Sequence, residues 1–242
     1  MHDAPSIVRC AAACLCELVN HPIQECLTML TVYGEGRGFR VVWLLEELGL
    51  AYRLRPVDLL AAGGVDRDFL AINPAGFIPA LQDGETIMVE SIAILEYLLV
   101  RHGSGSLAVA PDDPAFASYL QFLHLGEAGL AGPMNAVIVG RQLAPEAERD
   151  ARVTCWALET FESRLGLVIR RLADCPYLAG DRFTAADISV SYALLLGMRT
   201  GNYVPGPAER DYLARTTARP AYVRAMESCK ATKAWAARSP GL

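Results

Sequence analysis

The protein has 242 residues, of which 52% are apolar and 20% are charged. At about 150 residues per domain, this length suits one large domain or two small ones, and a disordered or fibrous chain would be poorer in apolar residues. The net charge is −5 and no cluster of Lys or Arg is longer than a pair, which argues against nucleic acid or an anionic membrane as the main partner. No window of about 18 residues is both apolar and uncharged, so no transmembrane span is expected.

The first 28 residues are unusually rich in cysteine. Four of the seven cysteines lie there, at Cys10, Cys14, Cys16 and Cys26. The segment lacks the basic start and the continuous apolar stretch of a secretory signal, because Asp3 precedes the first Arg and Glu17 ends a short apolar run. We expect residues 1–28 to be an appended, poorly ordered segment. Metal binding by Cys10, Cys14 and Cys16 is the alternative.

The cysteines of the whole chain indicate a reducing environment. Their number is odd, and the sequence contains neither a CxxC pair nor a Cys/His spacing typical of a zinc site. Most thiols are therefore expected to be free, which fits a cytoplasmic protein without a metal.

Residues 29–104 predict a small α/β domain. Leu30–Tyr33 is a short run of strand formers, a glycine-rich turn follows, and Phe39–Leu48 has apolar residues at helical spacing. Further strands are predicted over 52–59, 79–82 and 85–89, and helices over 68–72 and 92–101. Asp83-Gly84 is a strong hairpin signal between the last two strands, and Ser91 suits the start of the last helix.

Residues 115–230 predict an all-helical domain, joined to the first by a Gly-, Ser-, Pro- and Asp-rich linker at 103–114. The predicted helices span 116–128, 145–172, 185–198, 208–215 and 221–228. Thr184 and Asp187 have the spacing of a capping box, so a helix is expected to begin at Ala185. Residues 231–242 are expected to be a tail.

The glycine-rich turn resembles a dinucleotide-binding loop only superficially. Gly34, Gly36 and Gly38 form G-x-G-x-G, but Phe39 stands near the place of the third glycine of the fingerprint. The second half of a Rossmann domain is also missing, since residues 115–242 look helical. A tight turn is therefore expected, and no nucleotide.

Two local features suit a small peptide that carries both charges. A cis bond before Pro79 would turn the backbone N–H and C=O of Ile78 outward at a sheet edge, where an extended ligand can pair with them; an ordinary trans proline is the alternative. Ser91 at a helix N-terminus suits a carboxylate, and Glu90 beside it suits an ammonium group. A plain helix cap next to a solvated Glu is the alternative reading of this pair.

Three motifs, in the right order, resemble the glutathione S-transferase family. NPAGFIPALQDGETIMVESIAILEYL over 73–98 is similar to its glutathione-binding half. FRVVWLLEELGLAY over 39–52 looks like its first helix, and YLAGDRFTAADISVSYAL over 177–194 is similar to its helical-domain signature. The resemblance covers about 29–230, which is nearly all of the regularly patterned chain.

The resemblance implies a thioredoxin-like α/β domain followed by an all-α domain. It implies a cis bond before Pro79, with Phe77 and Ile78 at the cysteinyl unit of glutathione. It also places Glu90 and Ser91 at the γ-glutamyl end of that tripeptide. The family usually forms homodimers, so glutathione, a small apolar electrophile and a second copy of the chain are the expected partners.

The thiol of glutathione must be ionised to react. At a pKa near 8.5, only about 3% is thiolate at pH 7, and lowering the pKa by about two units takes roughly 2.7 kcal/mol. Family members place a Tyr, Ser or Cys near the end of the first strand, and this chain offers Tyr33 there, with Arg37 following. Because the loop after Tyr33 is shorter than in Tyr-type members, backbone N–H groups of the turn, together with Arg37, are the alternative.

The electrophile pocket is expected between the domains. The segment YLQFLHLGEAGLAGPM over 119–134 resembles a helix in which His and Glu recur in bacterial and fungal members. His124 and Glu127 are three residues apart and share a helix face. We expect them to line the cleft near the sulfur; a structural histidine is the alternative.

These residues predict a glutathione S-transferase that conjugates the thiolate to small apolar electrophiles, with reduction of organic peroxides at the same site. Thiol–disulfide chemistry through an enzyme cysteine is disfavoured, since no Cys lies near position 35. The alternatives are a glutathione-dependent isomerase or dehalogenase on the same scaffold, and a non-catalytic glutathione-binding or interaction protein.

Overall fold

The computed structural model describes residues 29–59, 64, 66–103, 105–149 and 151–230. The expected appended segment 1–28, with its possible metal-binding cysteines, and the expected tail 231–242 lie outside the described residues.

A four-stranded mixed sheet occupies the N-terminal half. Its strands are β1 (Leu30–Tyr33), β2 (Tyr52–Arg55), β3 (Ala80–Asp83) and β4 (Thr86–Val89), in the order β2-β1-β3-β4. β1 is parallel to β2 and antiparallel to β3, and β3 pairs antiparallel with β4. The predicted hairpin is confirmed.

The edge strand β2 is shorter than predicted and ends at Arg55 rather than at Leu59. Among the described strands it pairs with β1 alone, which ends at Tyr33, and the Gly34 N–H closes the ladder on the Arg55 carbonyl at 2.8 Å. Pro56 then follows, which has no N–H to extend the pairing.

Successive side chains of β1 point to opposite faces of the sheet, and different helices cover the two faces. The flanking helices are α1 (Phe39–Leu48), α2 (Arg67–Ile72) and α3 (Ser91–Arg101). Leu30 and Val32 join a core with buried side chains of α1 and α3. Tyr33 belongs to a smaller cluster on the other face, where its ring contacts Phe69 of α2. A strand between two helical layers is buried on both sides, and β1 is largely buried on both, with Thr31 half-buried on the face that it shares with Tyr33.

The second half is helical, as predicted, but its first helix runs further. The α-helices described there are α4 (Phe116–His124), α5 (Gly132–Ile138), α6 (Ala151–Asp174), α7 (Ala185–Arg199), α8 (Pro207–Thr217) and α9 (Pro220–Lys230). A π-helical segment, Leu125–Ala131, joins α4 to α5, and a second, Val139–Leu143, follows α5. Pro133 cannot donate a backbone hydrogen bond, and the wider turn before it lets the helix continue through that residue.

The two halves share one core. A single cluster of buried apolar side chains runs from Leu30 in the sheet to Cys229 in α9. The segment predicted as a linker contributes buried Leu107 and Val109, and the Leu107 carbonyl accepts the Ala185 N–H at 2.9 Å. The division into two domains at the linker 103–114 therefore stays a prediction. None of the helices in the described part of the chain combines the length and apolar character needed to cross a membrane.

The predicted capping box is confirmed at the start of α7. The Thr184 N–H donates to Asp187 at 2.9 Å, and the same carboxylate accepts the Leu178 N–H at 3.0 Å and the Tyr212 hydroxyl at 3.1 Å. Burial raises the pKa of Asp187 to about 6, against these donors, which favour the charged form. Asp187 thus ties the start of α7 to the preceding loop and to α8.

We expect Asp187→Ala to lower the free energy of unfolding by about 2–4 kcal/mol, because two buried amides and a buried hydroxyl lose their acceptor. Urea denaturation at neutral pH measures the change. Asp181→Ala removes an exposed carboxylate from the same loop and should stay within about 0.5 kcal/mol of the wild type. Equal effects of the two substitutions would contradict this role.

Candidate functional site

The glycine-rich turn between β1 and α1 lies directly against Ile78. Gly34 has φ +80°, and a Cβ there would come within 2.3 Å of Ile78 Cγ2. A Cβ at Gly38 would lie 1.9 Å from the Gly34 carbonyl oxygen. The glycines are therefore required by backbone shape and close contact, and they bring the start of α1 next to the loop that precedes β3.

The loop before β3 is held by the buried side chain of Asn73. Its Nδ2 donates to the Phe77 carbonyl at 2.7 Å, and its Oδ1 accepts the Ala75 N–H at 3.1 Å. The peptide bond between Ile78 and Pro79 is cis, as predicted. Within the described residues neither the N–H nor the C=O of Ile78 has a hydrogen-bond partner. Two backbone groups are thus left to pair with a ligand beside the glycine-rich turn.

Glu90 and Ser91 form the start of α3. Glu90 is exposed and has φ 72°, an uncommon conformation for a residue other than glycine. Such backbone strain concentrates at functional sites. Ser91 is buried and is the first residue of the helix, where the backbone N–H groups lack intrahelical acceptors. This geometry suits a ligand with one negative and one positive group.

Behind Ser91 lies Arg40 of α1, which the sequence analysis did not identify. Arg40 is fully buried, and its Nη1 donates to Ser91 Oγ at 3.1 Å and to the carboxylate of Glu127. Its Nη2 donates to the Gly126 carbonyl at 3.2 Å, and its guanidinium lies 4.1 Å from the centre of the Tyr192 ring. The sequence gives one indication of its burial: Arg40 lies four residues before Leu44, one helical turn away, and therefore on the apolar face of α1.

Glu127 joins two arginines rather than standing alone in the cleft. Besides Arg40 it binds Arg37, whose Nη2 lies 2.9 Å from its Oε1. Burial alone would raise the pKa of Glu127, but the guanidinium groups of Arg40 and Arg37 outweigh burial and hold this pKa below its ordinary value. Glu127 is therefore ionised at neutral pH. Arg37, Arg40 and Glu127, which we call the Arg40 cluster, thus combine two positive charges with one negative charge and carry a net positive charge.

An apolar cavity of about 300 Å³ lies between α1, α7 and α9. Its lining residues are Phe39, Tyr192, Leu195, Leu196, Met198, Arg199, Tyr222 and Met226. Phe39 directly follows the glycine-rich turn, and Tyr192 is the ring that Arg40 covers. The cavity therefore adjoins both the turn and the Arg40 cluster, between the two halves of the chain. The sequence analysis placed a pocket between the halves but did not identify this lining.

Two other predicted site residues lie elsewhere. The Tyr33 hydroxyl donates to the side chain of Gln82 at 2.8 Å. Since Gln82 pairs with Thr31 in the sheet, the hydroxyl is directed back along β1 and away from Pro79. His124 is 56% exposed and its Nε2 lies 3.4 Å from the Glu96 carboxylate, in a surface pair between α3 and α4. The hypotheses that Tyr33 donates to the sulfur and that His124 lines the cleft gain no support from this geometry.

The described residues contain no group of three or more His, Cys, Asp or Glu side chains suited to holding a metal ion. Among the cysteines that the structure describes, Cys155 and Cys175 have free thiols, and Cys229 is buried in α9.

Comparison with known proteins identifies the family. Residues 26–100 match the model of the glutathione S-transferase N-terminal domain. Glutathione S-transferase 3 of Zea mays is 32% identical over 198 residues, which are 76% of this chain and 85% of that protein. The chain belongs to the glutathione S-transferase family of enzymes. Glutathione S-transferase GstB of Escherichia coli (strain K12) is 29% identical over 205 residues, 80% of this chain and 95% of that protein.

Solved structures of glutathione transferases share the fold. The theta class glutathione S-transferase of Xanthomonas axonopodis pv. citri, with glutathione bound, superimposes with a TM-score of 0.69 at 30% identity, over 81% of this chain and 96% of that one. The glutathione transferase of Methylococcus capsulatus gives a TM-score of 0.72 at 27% identity, over 84% of this chain and 100% of that one. The expected architecture of a thioredoxin-like domain with a helical C-terminal region is confirmed.

We expect Gly34→Ala to destabilise this glutathione transferase family member by about 1–3 kcal/mol, because the new Cβ meets Ile78 and the left-handed backbone disfavours it. Chemical denaturation measures the change. Gly166→Ala is the matched control, since a Cβ at this position in α6 meets nothing within 4 Å and alanine is the better helix former by about 1 kcal/mol. The two substitutions should shift stability in opposite directions.

Proposed function

We propose that the protein conjugates the thiolate of glutathione to small apolar electrophiles, and that it reduces organic peroxides at the same site. The proposal is carried by the juxtaposition of the glycine-rich turn, Ile78 and the start of α3 beside an apolar cavity. We also propose that the protein is cytoplasmic and works in detoxification as a homodimer, which rests on the family and, for the compartment, on the free thiols of Cys155 and Cys175.

The charges at the start of α3 match the γ-glutamyl end of glutathione. Its carboxylate would bind at Ser91, where first-turn amides and the net positive charge of Arg37, Arg40 and Glu127 favour an anion. Its ammonium would lie near the exposed carboxylate of Glu90. The backbone of Ile78, with Phe77 and Pro79 on either side, would pair with the cysteinyl unit, as in strand addition to a sheet edge.

The thiolate would lie at the N-terminus of α1, where the turn and Arg37 meet. Backbone N–H groups at a helix start have no intrahelical acceptor and favour an anion. Arg37 adds a cation on the same turn, anchored by Glu127. Together they supply donors and positive charge of the kind that lowers a thiol pKa by the roughly two units required. The sulfur would then face the cavity beyond Phe39, where an apolar electrophile binds.

We expect Ser91→Ala to weaken the binding of glutathione about 5- to 150-fold, because a charge-assisted hydrogen bond of roughly 1–3 kcal/mol is lost. Isothermal calorimetry measures the dissociation constant. Ser163→Ala, on the exposed face of α6, is the control and should leave the constant unchanged. An unchanged constant in Ser91→Ala would remove Ser91 from the site.

The pH at which bound glutathione ionises distinguishes the two candidate activators. Arg37→Gln should raise the midpoint of the thiolate absorbance of the complex by about one pH unit, since a nearby cation is removed. Tyr33→Phe should leave the midpoint in place, because that hydroxyl is bonded to Gln82. Arg53→Gln removes an exposed cation from β2 and controls for net charge. A raised midpoint in Tyr33→Phe would restore Tyr33 as the donor.

The non-catalytic alternative makes a different prediction. A pure binding protein would be retained on immobilised glutathione and would not turn over a generic aryl halide. Retention with turnover, lost on addition of an inactive S-alkyl glutathione, is the result expected of the transferase. If the protein is not retained on immobilised glutathione in the absence of a competing ligand, both functions are contradicted.

A further inference from the structure

Arg40 occupies a costly position. Its side chain is fully buried, and a buried guanidinium is stabilised only when charge and hydrogen-bond partners surround it. Glu127, two backbone carbonyls and the face of Tyr192 supply most of these partners. Its Nε, also buried, has no acceptor among the described residues. The surroundings therefore leave one N–H of the Arg40 guanidinium without an acceptor. At the same time, they direct another of its N–H groups to Ser91.

The contact with Arg40 constrains the Ser91 hydroxyl. A serine hydroxyl has one hydrogen and two lone pairs, whereas a guanidinium can only donate. Nη1 of Arg40 donates to Ser91 Oγ at 3.1 Å, so a lone pair faces Arg40 and the hydroxyl hydrogen must be directed elsewhere. Within the described part of the chain no acceptor for that hydrogen is found. The hydrogen is left for a ligand acceptor at the start of α3.

The charge behind Ser91 favours the same kind of ligand. Arg37 and Arg40 outnumber Glu127, the carboxylate they share, and each contacts it directly. Glu90, on the outer side of Ser91, is exposed to solvent and is therefore screened more strongly than the buried Arg40. A carboxylate on the ligand would accept from Ser91 while lying above a net positive cluster. A neutral amide would gain much less from either effect.

We propose that Arg40 is a positioning residue that orients the Ser91 hydroxyl and thereby selects ligands with a free α-carboxylate at the γ-glutamyl end. This inference rests on the proposed function, since it concerns the glutathione site. Arg40 does not touch the ligand; it acts through Ser91 and through its charge.

The test compares glutathione with an analogue in which the α-carboxylate of the γ-glutamyl residue is a primary amide. Calorimetry measures both dissociation constants for the wild type and for Arg40→Met, which removes the charge and the donors and leaves Glu127 paired with Arg37. We expect the wild type to prefer glutathione about 10- to 100-fold. Arg40→Met should lose most of that preference, because the substitution should weaken the binding of glutathione and leave the binding of the amide analogue unchanged. An equal loss for both ligands would indicate a merely structural role and would overturn the proposal.

Two further variants keep the test decisive if Arg40→Met fails to fold. Arg40→Lys retains the charge beside Glu127 but cannot donate to Ser91 and to the two carbonyls at once, so it should also lose preference. Ser91→Ala should abolish most of the preference by itself, and Arg40→Lys should then add little to it. Full preference in Ser91→Ala, or additive effects of the two substitutions, would overturn the proposal.

The wild-type measurements separate this inference from the proposed function. A wild type that binds neither ligand would contradict glutathione binding itself. A wild type that binds both equally would leave glutathione binding standing and would contradict the selection of the α-carboxylate by Ser91 and Arg40.

Discussion

The buried guanidinium of Arg40 is the constraint on which the arrangement of this molecule depends. Its hydrogen-bond partners come from three separate elements: Ser91 from α3, Gly126 and Glu127 from the π-helical segment, and Ser189 from α7. Removing any one of them leaves a buried charge less compensated, and such a loss is strongly destabilising. The helical half cannot move away from the sheet half without that cost. The ion cluster therefore fixes the geometry of the cleft, and apolar packing of the shared core supplies most of the stability around it.

The π-helical segment makes this cluster possible. Gly126 packs so closely on α7 that a Cβ there would lie 2.3 Å from Ser189 Oγ. That approach places the carbonyls of Gly126 and Ser189 within reach of the same Nη2 of Arg40. Glu127, the next residue, then meets Arg37 and Arg40 from the cleft side. Short π-helical turns occur often at functional sites. Here the turn presents the Gly126 carbonyl and the Glu127 carboxylate to Arg40, beside the Ser189 carbonyl of α7.

The features that the sequence predicts correctly are those set by neighbouring residues. The apolar stripe of α1, the hairpin after Asp83 and the capping box at Thr184 each follow from a few adjacent side chains. Features set by partners far along the chain were not predicted. Arg40 and Glu127 are 87 positions apart, and nothing local shows that they pair. The direction of Tyr33 was missed for a related reason: side chains on both faces of β1 are buried, so the burial expected from its sequence does not show which face carries the candidate site.

The start of α1 connects the proposed glutathione site with the apolar cavity. Three consecutive residues there have separate tasks: Gly38 shapes the turn, Phe39 lines the apolar cavity, and Arg40 reaches Ser91 and Tyr192. Successive residues of an α-helix project about 100° apart, so one helix start can reach the glycine-rich turn, the apolar cavity and the start of α3. Because a small rotation of α1 would misplace all three at once, the helix must be held rigidly. Its next five residues, 41–45, are fully buried between the sheet and the helical half. Because close-packed interiors have low compressibility, this packing resists such a rotation.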